Sequence, residues 1–282
     1  MSRIFVSGVG FDAVSEREAV AHVSDFLAGR VSVAQKSRQA WGSSRGQKKF
    51  LLVTPNPEML LTAQKNSAFK KVLNAANLAV ADGVGILWAT YFLNLKRRNF
   101  FTLIASLLAI LFARKKIRTV LPARVTGSDL FPKLLRLAEQ KKQKVFLLGA
   151  APGVAEAVKT KFEKKFPNLE IADVFAGSPQ VSEELEICEK INASGAKMLF
   201  VAFGAPAQEL WISRNLPKLK TTCFAAGIGG TFDFYAGRVV RAPSFFRSFG
   251  LEWLWRLLCE PRRLGRIWNA TVCFVTLVWR GR

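Results

Sequence analysis

The sequence predicts an α/β protein: a Rossmann-like, doubly wound and mostly parallel sheet with a basic, aromatic-rich C-terminal membrane-associating appendage. Short apolar runs alternate with stretches of helical periodicity along the chain, the signature of strands joined by crossover helices. Most of these runs close on glycines or polar residues, as strands do where they leave a sheet for a binding crevice. From Arg238 onward the composition changes, so the core is expected over residues 1–237 and the appendage over 238–282.

The chain has 282 residues, half of them apolar, which is enough for a sizeable core and excludes a disordered polymer. Lysine and arginine number 42 against 20 acidic residues, a formal net charge of +22. Such an excess implies an anionic partner: nucleic acid, an acidic membrane surface or a phosphorylated substrate. Cys188, Cys223, Cys259 and Cys273 form no C-x-x-C pair, which argues against zinc or a disulfide framework and fits a reducing cytoplasm. The single histidine, His22, falls in an amphipathic stretch, which argues against His-dependent nucleophilic triads. The first residues (MSRIFVSGVGFDAV) contain no apolar core with a cleavage site, so no secretory signal is expected there.

In chain order, Ile4–Val9 reads as a first strand, and Gly8-Val9-Gly10 begins like a dinucleotide fingerprint but lacks its third glycine. Glu16–Leu27 has helical spacing, and residues 34–49 read as a mobile polar loop. Leu51–Val53 and Leu78–Ala81 read as buried parallel strands. Thr54, Asn56 and Glu58 follow the first, and Asp82-Gly83-Val84-Gly85 follows the second. Both clusters should face one crevice, where Asp82 would have the position of a base. The same residues also suit a helix cap and an ordinary turn.

Further along, Ile86–Leu95 reads as a helix, and Ser128 is expected to cap another that runs to about Lys141. Val145–Leu148 is a strand ending in Gly149 to Gly153, followed by a helix from Val154 to Phe166. This would be a phosphate cradle without the Walker lysine spacing, so a P-loop is excluded. Glu170–Val174 continues as a strand and Ser182–Asn192 as a helix. Lys197–Phe203 opens into Gly204, Pro206, Gln208 and Glu209, with Pro206 suited to a first helical turn. Thr222–Ala226 opens into Gly227 to Asp233, including Gly229 and Gly230.

Two segments do not fit a plain sheet protein. Phe100–Ala113 is 14 uncharged residues bracketed by Lys96, Arg97 and Arg98 and by Arg114, Lys115, Lys116 and Arg118. It is short for a bilayer span, which needs about 20 residues, and suits a helix lying in the membrane interface; a buried core helix is the alternative. The tail holds nine arginines against Glu252 and Glu260, interleaved with aromatics, and Ile267–Trp279 is uncharged over 13 residues. Arginine beside tryptophan at helix ends is the composition of an interfacial anchor. Single-stranded nucleic acid would also suit basic and aromatic residues, but does not require two apolar runs.

Several ordered motifs carry a resemblance: T-P-N-P-E (54–58), A-D-G-V-G (81–85), R-V-T-G-S-D-L (124–130), F-L-L-G-A-A-P-G-V-A (146–155), F-G-A-P-A-Q-E-L-W-I (203–212), G-I-G-G-T-F-D-F-Y-A-G (227–237), R-A-P (241–243) and L-E-W-L-W-R-L-L-C-E-P-R-R (251–263). Together they resemble the WecG/TagA/CpsF glycosyltransferases over nearly the whole chain. The resemblance implies inverting transfer of an N-acetylmannosamine-type sugar from UDP to polyprenyl-diphosphate-linked N-acetylglucosamine, in teichoic acid or surface polysaccharide synthesis. It implies that Asp82 is the general base, that Thr54 and Asn56 line the sugar pocket, and that Arg124 and Gln208 lie near the donor. Tail arginines from the set Arg256, Arg262, Arg263 and Arg266 are implied to close over the site. Gly83, Gly85, Gly149, Gly153, Gly204, Glu209, Gly229, Gly230 and Asp233 are expected around the substrates.

No D-x-D occurs, so arginines and helix N-termini are expected to hold the diphosphate without a metal, and no cofactor is called for. The expected partners are a UDP-sugar donor, the lipid-linked acceptor, an anionic membrane surface and a second copy of the chain; no nucleic acid is expected. The expected location is the cytoplasmic face of the cell membrane, peripheral or monotopic. The sequence departs from the family pattern in one place: 42 positions separate Asp82 from Arg124, and the surplus holds Phe100–Ala113. That insertion is expected to be an additional membrane-contacting element. Two rivals stand beside this reading, a related transferase using another UDP-sugar such as UDP-glucose and a non-catalytic basic membrane or nucleic-acid binding protein.

Overall fold

The computed structural model describes residues 3–30, 41–42, 48–243, 245–246 and 250–281, with backbone alone at 41, 42, 256 and 263. The chain opens on an antiparallel hairpin, β1 (Ile4–Val6) and β2 (Val9–Phe11), where a single strand was expected. Ser7 and Gly8 make the turn with φ of 48° and 77°, the two positive angles that a tight hairpin turn demands. Gly8 is therefore a hairpin residue and does not begin a phosphate loop.

The first half continues through α1 (Glu16–Leu27), β3 (Trp41–Gly42), β4 (Lys48–Val53), α2 (Pro57–Lys65), α3 (Ser67–Ala75), β5 (Leu78–Ala79), α4 (Val84–Leu93), α5 (Phe100–Phe112), α6 (Arg114–Ile117) and α7 (Gly127–Gln140). The second half runs through β6 (Val145–Gly149), α8 (Val154–Lys165), β7 (Ile171–Phe175), α9 (Glu184–Ser194), β8 (Met198–Ala202), α10 (Ala207–Asn215), β9 (Phe224–Gly227), α11 (Thr231–Tyr235), α12 (Glu252–Cys259), α13 (Leu264–Trp268) and α14 (Phe274–Arg280). Of the loop expected over 34–49, residues 34–40 and 43–47 lie outside the described residues, and the last two already belong to β4. The cap of α7 is Thr126, whose hydroxyl accepts from Asp129 N at 3.1 Å; the expected cap, Ser128, lies inside the first turn.

The strands build one six-stranded parallel sheet in the order β5-β4-β9-β8-β6-β7, with β3 antiparallel against the start of β4. Alternation along each strand divides the core in two. Leu51, Val53, Phe146, Leu148, Leu199 and Val201 face one layer, packed by α2, α3, α4, α9, α10 and α14. Phe50, Leu52, Val145, Leu147, Met198 and Phe200 face the other, packed by α1, α7, α8 and α11. The chain leaves β4 for the first layer and leaves its neighbour β9 for the second, so the carboxyl ends of this pair splay apart into a crevice.

β5 has only two residues in register with β4, yet its end carries Asp82. Its other edge is braced by Asp12: Asp12 N donates to Ala79 O at 2.8 Å, and Ala79 N donates to Asp12 Oδ2 at 2.9 Å. Arg3 pairs with the same carboxylate at 3.3 Å and donates to Asn74 O at 2.6 Å. The hairpin thus acts as a clamp on β5, held by a buried ion pair. Asp12→Ala would strand the Ala79 N–H and the Arg3 charge, and should cost about 3 kcal/mol of stability in denaturant titration. Asp12→Asn, which keeps an acceptor for Ala79 N, should cost less.

Candidate active site

Backbone bonds carry the parallel pairing past the strands and assemble the crevice. Val80 N donates to Val53 O at 3.0 Å, Asp82 N to Pro55 O at 3.1 Å, and Val125 N to Ala81 O at 2.9 Å. Asp82 is therefore pinned between the Thr54-Pro55 turn and the loop that holds Arg124, despite the long intervening segment. Thr54 is buried at the end of β4. A Cβ placed on Gly127 would lie 3.6 Å from Thr54 Oγ1 and 3.8 Å from both Thr231 Oγ1 and Ile228 Cα. The ends of β4 and β9 and the start of α7 converge there. Asn56 caps α2, its Oδ1 accepting from Met59 N at 2.9 Å, so this oxygen serves the helix start. Gly83 and Gly85 open α4 directly after Asp82. Gly83 is its N-cap residue, and no side chain caps the helix.

The loops after β8 and β9 are tied together by one side chain. Gln208 Oε1 accepts from Gly204 N at 3.1 Å and from Gly229 N at 3.0 Å, while its Nε2 donates to Glu209 Oε1 at 2.7 Å. Gly227 makes room for this arrangement, since a Cβ there would sit 2.7 Å from both Gln208 Nε2 and Glu209 Oε1. Gln208 is 3 % exposed and Glu209 is fully buried, so Glu209 does not face a substrate as expected; it reaches the crevice only through Gln208. Burial pushes the Glu209 carboxyl up to about 7, against the lowering effect of the Gln208 hydrogen bond. Its Oε2 is buried without a hydrogen-bond partner, which fits a group that resists ionisation.

Gly230 and Asp233 lie beside this clamp at the start of α11; a Cβ on Gly230 would meet Asp233 Oδ2 at 3.7 Å. Gly149 and Gly153 lie farther out, because β6 is four strand spacings, about 19 Å, from β5. Gly149 is required where it is, since its φ is +98° and a Cβ would come within 2.9 Å of Ala202 C. The sheet thus groups Asp82, Thr54, Asn56, Arg124, Gly83 and Gly85 at one end. Gly204, Gln208, Gly229, Gly230 and Asp233 come next, and Gly149 and Gly153 lie at the far side.

The tail closes on the same edge through charged contacts that the motifs alone did not pair. Arg124 Nη1 donates to Glu252 Oε2 of α12 at 3.2 Å. Arg266 grips Glu58, in the first turn of α2, at 2.8 and 3.2 Å. Arg241 binds Asp129 in the first turn of α7 and donates to Ser128 Oγ at 3.2 Å. Beyond them Phe274 is buried, and a Cβ on Gly85 would lie 3.6 Å from its ring. Among the expected arginines, Arg266 reaches the crevice rim and Arg262 is exposed; the side chains of Arg256 and Arg263 lie outside the described residues. For Asp129, burial raises the carboxyl, but the hydrogen bonds from Arg241 and Thr126 and the charges of Arg241 and Arg124 hold it below its ordinary value. This contact stabilises the tail above about pH 4 and is lost on further acidification.

Glu209 has the opposite sign. Between 4.5 and about 7 the folded chain keeps a proton that the unfolded chain has released, so its contribution to stability falls as pH rises through that window. Glu209→Gln removes the titration while preserving an oxygen for Gln208. The Tm of this variant, relative to wild type, should therefore rise by about 5 °C between pH 5 and pH 7.5 in calorimetric scans.

The profile of the glycosyl transferase WecG/TagA/CpsF family matches residues 4–121 and 108–282. The N-acetylglucosaminyldiphosphoundecaprenol N-acetyl-beta-D-mannosaminyltransferase of Bacillus spizizenii is 37% identical over 216 residues, covering 77% of this chain and 74% of the relative. The protein of the same name from Staphylococcus aureus strain NCTC 8325 is 27% identical over 266 residues, covering 94% of this chain and 88% of the relative. The profile spans both the sheet and the tail, and the chain belongs to the WecG/TagA/CpsF family of glycosyl transferases.

Proposed function

We propose that the chain transfers N-acetylmannosamine from a UDP donor to N-acetylglucosamine carried on a polyprenyl diphosphate, with inversion and without a metal, at the cytoplasmic membrane face. The observation that carries the mechanism is the bond from Asp82 N to Pro55 O, which holds the backbone of Asp82 beside the Thr54 turn at the carboxyl ends of the strands. The names of the relatives supply the acceptor and the transferred sugar.

In the reaction the Asp82 carboxylate takes the proton of the attacking acceptor hydroxyl. The freed oxygen pair bonds to the anomeric carbon as the bond to the β-phosphate oxygen breaks, and the electrons of that bond leave with UDP. The departing charge needs preorganised donors. The first turn of α4, which no side chain caps, stands along this edge, beside the loops after β8 and β9 that Gln208 holds in place. Arg124 and Arg266 bring cations to its rim, each positioned by a carboxylate partner. Thr54 shapes the sugar end, and Asn56 contributes through the start of α2.

UDP release from UDP-N-acetylmannosamine would be followed with chelator present, on vesicles carrying a polyprenyl-diphosphate-linked N-acetylglucosamine analogue. Acceptor-dependent release is expected in wild type, and Asp82→Asn should lower kcat about 10²–10⁴-fold, the usual contribution of general-base assistance. Undiminished turnover in the variant would remove Asp82 from this role, and loss of turnover to the chelator would remove the metal-free step.

A further inference from the structure

α5 is divided lengthwise. Leu103, Ser106 and Ala109, spaced by three, are buried, and Ser106 Oγ accepts from Trp88 Nε1 of α4 at 2.9 Å. The opposite face is apolar and open to solvent: Phe100 is 62% exposed, Phe101 81%, Leu108 51% and Phe112 83%, with Ile104 and Leu111 along the same stripe. A continuous exposed stripe of six large apolar side chains marks an interaction surface. The capping box at Asn99 and Thr102 fixes where this helix starts, so the stripe has a defined register.

The charge around the stripe indicates what covers it. Lys96 and Arg97 are exposed before the helix, and Lys115, Lys116 and Arg118 are exposed after it. An apolar band ending in cations at both ends complements lipid tails beneath anionic head groups, whereas a second copy of a chain with net charge +22 would bring cation against cation. Thirteen residues span about 20 Å, short of the roughly 30 Å hydrocarbon core, and no helix among the described residues is long and apolar enough to cross a membrane. We propose that α5 lies in the plane of an anionic bilayer, its outer stripe in the acyl boundary and its flanking cations on head groups.

The seat is joined rigidly to the crevice. α5 packs on α4, and α4 begins two residues after Asp82. The tail reaches the same helix, with Phe274 against Trp88 and Trp279 against Phe92 at ring separations of 6.4 and 6.1 Å. α4 is therefore a strut between the base and two elements that meet it from outside the sheet. The membrane seat fixes the height of Asp82 above the lipid surface, and this purpose, though not the binding itself, rests on the lipid-linked acceptor proposed above.

The test is flotation of the full chain with vesicles of phosphatidylglycerol and phosphatidylcholine, compared with phosphatidylcholine alone. Phe101→Ser with Phe112→Ser should lower partition onto the anionic vesicles at least tenfold, with thermal unfolding unchanged and UDP release on a water-soluble acceptor analogue retained. Lys115→Gln with Lys116→Gln should weaken binding chiefly at low salt. Unaltered flotation of the phenylalanine variant would overturn the proposal. So would a lipid-free dimer in sedimentation velocity that the same variant dissociates, since a second copy would then cover the stripe. Loss of flotation in the variant alongside absent transfer by wild type would leave the seat standing and remove the proposed reaction.

Discussion

The amide oxygen of Gln208 receives two backbone N–H groups from loops that leave neighbouring strands, and the architecture of the crevice depends on that double acceptance. Parallel strands bring Gly204 and Gly229 to the same edge but do not fix how their loops sit. A single planar amide, itself held by Glu209, sets both at once. Gly227 must be small because the amide and the carboxyl occupy the space of its side chain. Keeping Glu209 fully buried costs desolvation, and protonation near neutrality lowers that cost. Gln208 is thus the fastener of the two loops after β8 and β9.

At the other end of the crevice a strand of two residues leads into Asp82. β5 is paired by β4 on one side and by the Asp12 side chain on the other, and the ladder continues through Asp82 and Val125. The N-terminal hairpin, remote from Asp82 in sequence, supports its strand through this brace. The tail fastens the rim by three arginine–carboxylate contacts on different elements: α2, the loop before α7, and the first turn of α7. The Arg266–Glu58 contact is exposed and contributes modestly, whereas the other two are part-buried, and together the three tie the tail to the sheet.

Much of this was legible in the residues. The apolar runs at 51–53, 145–148 and 197–203 form strands because they are buried on both faces, and Thr54 and Asp82 lie just past strand ends, where the runs place them. Boundaries slipped by a residue or two where caps decide them, as with Thr126 in place of Ser128. The opening residues misled because Gly8 supplies positive φ equally to a phosphate loop and to a hairpin. Asp12, Glu252 and Arg241 could not be paired in advance, since their partners lie across the fold and spacing carries no signal of such contacts. Glu209, expected around the substrates with the motif 203–212, is instead fully buried by the packing of α10 on β9, a contact that spacing along the chain does not reveal. The helix over 100–112 buries one face, as a core helix would, and leaves the other apolar face open to solvent.

The Gln208 fastener can be measured directly by amide hydrogen exchange in wild type and in Gln208→Met, a replacement of similar length whose thioether is only a weak acceptor. Each lost bond is worth about 1 kcal/mol, so exchange at Gly204 N and Gly229 N should quicken about fivefold or more while the amides of β6 and β8 keep their protection. Unchanged protection at both glycines would show that the loops hold their shape without the amide, and would contradict the account.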